Sequence, residues 1–409
     1  MANEIGSGFE AICGMKKEAA WAGVQAVTVA LPFLKESYTH EYEQIKDEVC
    51  RGHAGVSDAA IGNQKAVITP TFNLTYEDLD ILLALGMGAS GVPSVSSGAY
   101  FINNLTLLDN LPITNSCTLA IHKNVSVWEY LGCIPNTIKI SGSANNPLEL
   151  ETELIASSLS LDSATNTLAI LAALSTVDLA GKVMMSDLTF KIAAQATTLA
   201  AEDYGIDSFE FILNNNLAVD QFDNKEKTII QPRRTGNREV LFNFTVPRYE
   251  ADLYADWGIS GARLNAQLSF ASGSYRFIIN IPNLRILPVQ IPVEGPGLMG
   301  QKIEAVCNRD IPLGSRATGS FTYTPWSAEA VKAVGAVIVP TTENGHRYKC
   351  VSDSGTTATA GNEPTWTTTA NSEITDGSGV TEMTWTEDGT VDNEFEISLI
   401  NKRTATPLT

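Results

Sequence analysis

GNQKAVITPTFNLTYEDLDILLALGMG, residues 62–88, is the stretch whose reading decides the fold. Its first half alternates. Ile68, Phe72, Leu74 and Tyr76 fall on one face with polar residues between most of them, the period-2 pattern of a half-buried strand. Its second half changes period. Leu79, Leu82, Leu83 and Met87 recur at helical spacing, with Glu77, Asp78 and Asp80 in the first turn and Gly86 and Gly88 at the end. Acids near the start and glycine at the close suit the helix dipole and a left-handed cap, so the stretch predicts a strand followed by a helix.

The chain writes this unit twice. From Gly236 it reads GNREVLFNFTVPRYEADLYADWG: the same Gly-Asn, a strand through Val240, Phe242, Phe244 and Val246, then a short helix opened by Tyr249-Glu250 and ended by Gly258. The separation is far longer than the roughly 20–50 residues of solenoid units, so it predicts a duplicated domain. IPNLRI (281–286) also echoes IPNTIKI (134–140).

A chain of 409 residues holds two or three domains of ordinary size. Hydrophobic residues make up 44% and charged residues 18%, which excludes disorder and a coiled coil. Abundant Thr, Ser, Asn, Gly and Val lean towards β structure. Against 27 Lys and Arg stand 46 Asp and Glu, a net charge of −19. Such a surface repels duplex DNA and anionic lipid, which argues against a groove reader but suits a protein that DNA passes without sticking.

The six cysteines (Cys13, Cys50, Cys117, Cys133, Cys307, Cys350) include no C-x-x-C pair, and Cys50 beside His53 lacks the second pair a zinc site requires. Buried free thiols in a reducing compartment are expected. The apolar run Ala22–Leu34 is framed by Glu4, Glu10 and Glu18 before it and Lys35-Glu36 after it, so it reads as a buried strand rather than a signal peptide. Glu41–Arg51 reads as a charged segment of helical character, and Ala89–Ala99 as a Gly/Ser/Pro loop.

In Pro147–Ile155, Leu148, Leu150 and Leu154 face one way and Glu149, Glu151 and Glu153 the other. A sheet with one dry and one acidic face is implied, the acidic one being either an ordinary solvated surface or the lining of a channel. The expected organisation is a first repeat over 1–160, a connector over 161–181, and a second repeat over 182–324. A small all-β module follows at 325–389, inserted before a last strand of the second repeat at 390–409. In the module Trp326, Tyr348, Trp366 and Trp385 are the bulky residues. They are either its core or a platform for sugar rings.

No P-loop, G-x-S-x-G elbow or H-E-x-x-H is present, and the four histidines are scattered. No catalytic constellation, cofactor site or metal site is predicted, so the chain reads as a non-enzyme. Asp78 and Asp80 are assigned to the helix N-terminus rather than to acid–base work.

The segments GMKKEAAWAGVQAVTVALPFLKES, TFNLTYEDLDILLALGMG, IPNTIKISGS with LELETEL, and SFEFILNNNLAVDQF together resemble the tail tube proteins of long non-contractile-tailed bacteriophages. Residues 325–389, with EPTW and a DG…W ending, resemble small carbohydrate-binding-like modules that decorate phage structural proteins. The resemblance implies a mainly β fold of sandwich or barrel type, each repeat a pair of packed sheets with a short flanking helix; the duplicated domain is a departure from the family pattern. The resemblance also implies rings stacked into a hollow tube that conducts DNA. Its partners would be further copies of the chain; the duplication turns a six-unit ring into a trimeric one of pseudo-sixfold symmetry, with a hexameric ring as the alternative. Beyond those come the tape measure, terminator and tip proteins of the tail, with no membrane and a surface glycan as the alternative ligand of the module. Its location would be the virion tail, after synthesis in the host cytoplasm. The other classes carried forward are a capsid-decorating or tail-adaptor protein and a secreted glycan-binding protein.

Overall fold

The computed structural model describes residues 11–31, 33–46, 59–91, 93–97, 99–112, 114–174, 181–194, 205–223, 227–247, 258–288 and 300–309. In the C-terminal part it describes 324–328, 336–341, 346–353, 362–369, 372–377, 383–390 and 394–408, besides a few isolated positions. All statements below concern these residues.

The first half contains β1 (Ile12–Lys17), β2 (Val29–Leu31) and the long strands β3 (Phe33–Lys46) and β4 (Ala59–Asn73), then the helix α1 (Asp80–Met87). Next come β5 (Gly88–Ser90), β6 (Ser94–Ser97), β7 (Tyr100–Leu107) and β8 (Cys117–His122). They lead to the 17-residue β9 (Val127–Ser143), then β10 (Glu149–Ala156), β11 (Ser158–Ser160) and the short helix α2 (Leu168–Ala172). The second half holds β12 (Leu188–Ala194), β13 (Ser208–Asn214), β14 (Glu239–Val246), β15 (Leu264–Ser272), β16 (Tyr275–Ile286) and β17 (Gln301–Cys307). A small group follows: β18 (Thr324–Pro325), β19 (Val337–Val339), β20 (His346–Asp353), β21 (Glu373–Asp376) and β22 (Met383–Thr390). The last strand is β23 (Glu396–Asn401). The protein is mainly β, built from large antiparallel sheets.

The same pairing scheme occurs twice. In the first half β3 pairs with β4, β4 with β10, β10 with β9, β9 with β8 and β8 with β1. In the second, β13 pairs with β14, β14 with β17, β17 with β16, β16 with β15 and β15 with β12. Even the short flanking strands correspond, β11 beside β9 and β23 beside β16. The residues match as well as the topology: Phe72-Asn73 lie opposite Leu150 and Glu149, and Phe242-Asn243 opposite Ala305 and Glu304. The halves are joined edge to edge, β9 pairing antiparallel with β13 from Thr137–Asn214 to Ser143–Ser208.

The alternation seen in the sequence decides which face is dry. Ile68, Phe72, Leu74 and Tyr76 are buried, as are Phe209, Phe211 and Leu213 on β13 and Val240, Phe242 and Phe244 on β14. They meet Phe190, Phe270 and Phe277 of the opposing layer in one hydrophobic core that runs through both halves. α1 is buried along its whole length. Gly86 lets it approach β9, because a Cβ there would collide with the Ile138 side chain. Gly88 closes it with φ of 104°, the left-handed region that glycine enters without strain.

Several expectations are corrected. The run Ala22–Leu34 is strand only at Val29–Leu31, before β3 begins at Phe33. Residues 22–28 are irregular, with Ala22 at φ 54° and the Val27 amide donating to Asn166 Oδ1. Glu41–Lys46 is not helical but the end of β3. Pairing with β4, including Glu41 opposite Lys65, overrides the helical charge spacing; residues 47–51 lie outside the described part. Within Ala89–Ala99 the structure has β5 and β6, both paired with β7. α1 starts at Asp80, so Glu77 and Asp78 precede it, and Asp78 has φ of 70°. The second helix, near Tyr249–Gly258, falls almost wholly outside the described residues.

β18–β22 form their own five-stranded sheet, separate from the large one. After it, β23 lies between β16 and β7. A buried ion pair between Arg347 of β20 and Glu396 of β23 ties the small sheet to the large one.

Candidate functional site

The polar side of the joined sheet is the most organised surface of the molecule. Residues directly opposite one another on neighbouring strands share a face. One such row runs Glu149–Ser141–Glu210–Asn243–Glu304 across β10, β9, β13, β14 and β17. The neighbouring row holds Glu151 and Lys139, then Ile212, Leu241 and Val306; the next holds Glu153, Thr137, Asn214 and Glu239. The three glutamates of the sequence reading therefore do lie together. The sheet adds Glu210, Glu239 and Glu304 from the second half, and Lys139 and Lys302 as the cations among them. With strands about 4.8 Å apart, the row sets a carboxylate roughly every 10 Å.

The partners of these groups are specific. Lys139 Nζ lies 2.5 Å from Glu210 Oε1, and Lys302 Nζ 3.3 Å from Glu304 Oε1. The hydrogen bond to Glu210 raises the Lys139 pKa, with Glu151 and Glu149 adding to the effect, and Lys139 in turn lowers that of Glu210. Glu153 accepts from Asn136 Nδ2 at 2.6 Å. Across β10, β9, β13, β14 and β17 six carboxylates stand against two lysines and leave this part of the face acidic, while Lys35 and Arg285 lie on the same face at the two ends of the Glu151–Lys139 row. Glu210, Glu239 and Glu304 could not be placed beside Glu149 from sequence, because they come into register only through the β9–β13 junction. The F-E-F and I-E-A alternations did mark two of them as outward-facing.

The module aromatics sit in a different place. Tyr348 and Trp385 are fully buried and Trp326 nearly so, while Trp366 is half-buried against Tyr348 at a ring distance of 4.4 Å. Both Trp326 Nε1 and Trp385 Nε1 donate to Asp376 Oδ2, at 2.9 and 3.1 Å, and Trp366 Nε1 donates to Glu363 Oε1 at 2.8 Å. With Ile338, Cys350, Ile374 and Met383 these rings make the core of the small sheet.

Asp78 and Asp80 are not solvated helix-end charges. Asp80 is buried against Arg403, and burial raises its pKa despite that partner. Asp78 is pushed up to about 6, first by burial and then by the charge of Asp80. The described cysteines, all but Cys50, are buried and free. Among the described residues no group of His, Cys, Asp and Glu is placed to hold a metal ion, and no helix is long and apolar enough to cross a membrane.

A sheet continuous across two halves with the same pairing scheme, dry on one side and acidic on the other, defines a mainly β protein of sandwich type. Residues 8–307, well over half the chain, match the family described as phage tail tube protein, and the chain belongs to that family. It is thus a structural component of the phage tail, of a class that assembles with other tail proteins. The matched stretch ends at Cys307, so both pairing schemes lie within the family match and the small sheet beyond it. No curated protein matches the chain.

Proposed function

We propose that this chain polymerises as stacked rings into the hollow tail tube of a long non-contractile-tailed phage, with the acidic sheet face lining the channel through which DNA leaves. The observation that carries the reading is the row Glu149–Glu210–Glu304, which crosses from one half of the chain to the other without a break. DNA carries dense negative charge, and a wall of like charge in a narrow channel keeps it from adhering. The chain performs no chemistry in this role; it conducts.

The repeated pairing scheme supports a ring of three chains, each supplying two pseudo-equivalent units. The small β18–β22 sheet, tethered through Arg347 and Glu396, would then project outside the tube as a decoration that tube formation does not need.

Negative-stain microscopy of the purified chain tests the proposal. Open-ended hollow tubes are the expected result. Isolated closed rings that never stack would point instead to a tail adaptor, and a monomer under all conditions would overturn the proposal.

A further inference from the structure

The β9–β13 junction inside the chain has a counterpart that lacks its second strand. β9 takes β10 on one side; on the other it takes β8 along its first part and β13 along its last part. β16 repeats this arrangement with β17 on one side and β15 on the other, but β15 reaches only to Leu284. Beyond it Arg285, Ile286 and Leu287 have β17 beside them on one edge and, among the described residues, no strand on the other.

The complementary edge is β3. Its equivalent, β13, has β14 on one side and β9 on the other. β3 has β4 on one side and, among the described residues, no strand on its outer edge from Phe33 to Lys46. A long open edge is a template for pairing with another chain, and soluble proteins usually blunt it. Here large apolar side chains lie open at both edges: Leu34 is 47% and Leu287 41% exposed.

We infer that the β16 edge of one copy pairs with the β3 edge of the next copy, in the register the chain already uses between its own halves. The register follows from the shared partners. Phe33 faces Phe72 as Phe211 faces Phe242, and Lys35 faces Thr71 as Ile212 faces Leu241. Since Ile140 lies opposite Phe211 and Lys139 opposite Ile212, the interchain pairs are Ile286 with Phe33 and Arg285 with Lys35. The first pair continues the dry face and the second the polar face. This assignment rests on the ring proposed above and specifies which edges close it.

Cross-linking tests it. Lys35→Cys and Arg285→Cys are placed in separate chains carrying Cys50→Ser, and the two are co-expressed and oxidised. Directly opposed residues sit about 4.5–5.5 Å apart at Cα, within reach of a disulfide. Both side chains are exposed, so folding should survive the changes. The expected product is a disulfide-linked dimer on a non-reducing gel, and, when both cysteines share one chain, a ladder. Lys139→Cys with Ile212→Cys should close within single chains as a positive control, and Tyr42→Cys with Arg285→Cys should not react. Phe33→Cys with Ile286→Cys provides a second matched pair. Assembled particles in which neither matched pair links, or in which the shifted pair links better, overturn the edge assignment. Linked dimers in particles that are not tubes would uphold the edges and overturn the tube.

Discussion

Arg403, in the C-terminal tail, holds its Nε 2.5 Å from Oδ2 of Asp80, the first residue of the buried helix α1. The two ends of the pair come from opposite ends of the sequence, and the Asp80 side chain is only 1% exposed. Arg403→Ala would strand that charge in the core. The expected effect is a loss of up to about 3 kcal/mol, read from the chemical-denaturation midpoint. Asp80→Asn in the same background should recover part of it. An unchanged midpoint for Arg403→Ala would show that the pair does not hold the tail down.

Asp78 makes stability depend on pH in the unusual direction for a carboxyl. Its pKa is raised from 3.8 to about 6 in the folded chain. The folded state therefore binds the proton more tightly, so this contribution is fully present below about pH 4 and is lost as pH rises through about 6. Asp78→Asn keeps a side chain that tolerates the positive φ and removes the titration. The variant should gain of order 1 kcal/mol at pH 7, a figure reduced because the group is partly solvated, and should show a flatter profile between pH 4 and 7. Equal slopes in both proteins would contradict this.

The parts of the fold legible in the sequence are those set by one strand's own alternation. Leu148, Leu150 and Leu154 against Glu149, Glu151 and Glu153 needed no neighbour to be assigned. The echo of Gly62–Gly88 in Gly236–Gly258 pointed to a repeat, although the pairing sets Phe72-Asn73 level with Phe242-Asn243, four residues off the Gly-Asn alignment. What stayed hidden depends on partners. Glu41–Lys46 has helix-compatible spacing and becomes strand because β4 is there to pair with it. Asp80 looks like a helix-end charge until Arg403 arrives from the far end of the chain. Glu210 and Glu304 join Glu149 only once β9 meets β13.

The acidic face predicts a graded effect on DNA passage. Changing Glu149, Glu151 and Glu153 together to Lys should leave rings forming, since all three point away from the core. In phage carrying the change, ejection should slow several-fold at low salt, and the defect should shrink as salt is raised. Normal ejection at every salt concentration would remove this face from the channel.

Replacing Trp326–Asp388 with a short Gly/Ser linker should leave tubes intact and remove density from their outer surface. Besides the packing of β22 on β7, the deletion costs Glu396 its partner Arg347. Glu396→Gln in the deleted chain should offset it. Loss of assembly even in that double variant, or density lost from the lumen, would contradict the external placement of the small sheet.

The ring itself is decided by counting chains in it. A cryo-electron microscopy map of the assembled tube should show three chains per ring, with six similar sheet units alternating between first and second halves and the β9–β13 junction repeated at every chain boundary by β16 and β3. Six chains per ring, or chain boundaries closed through other strands, would contradict the account.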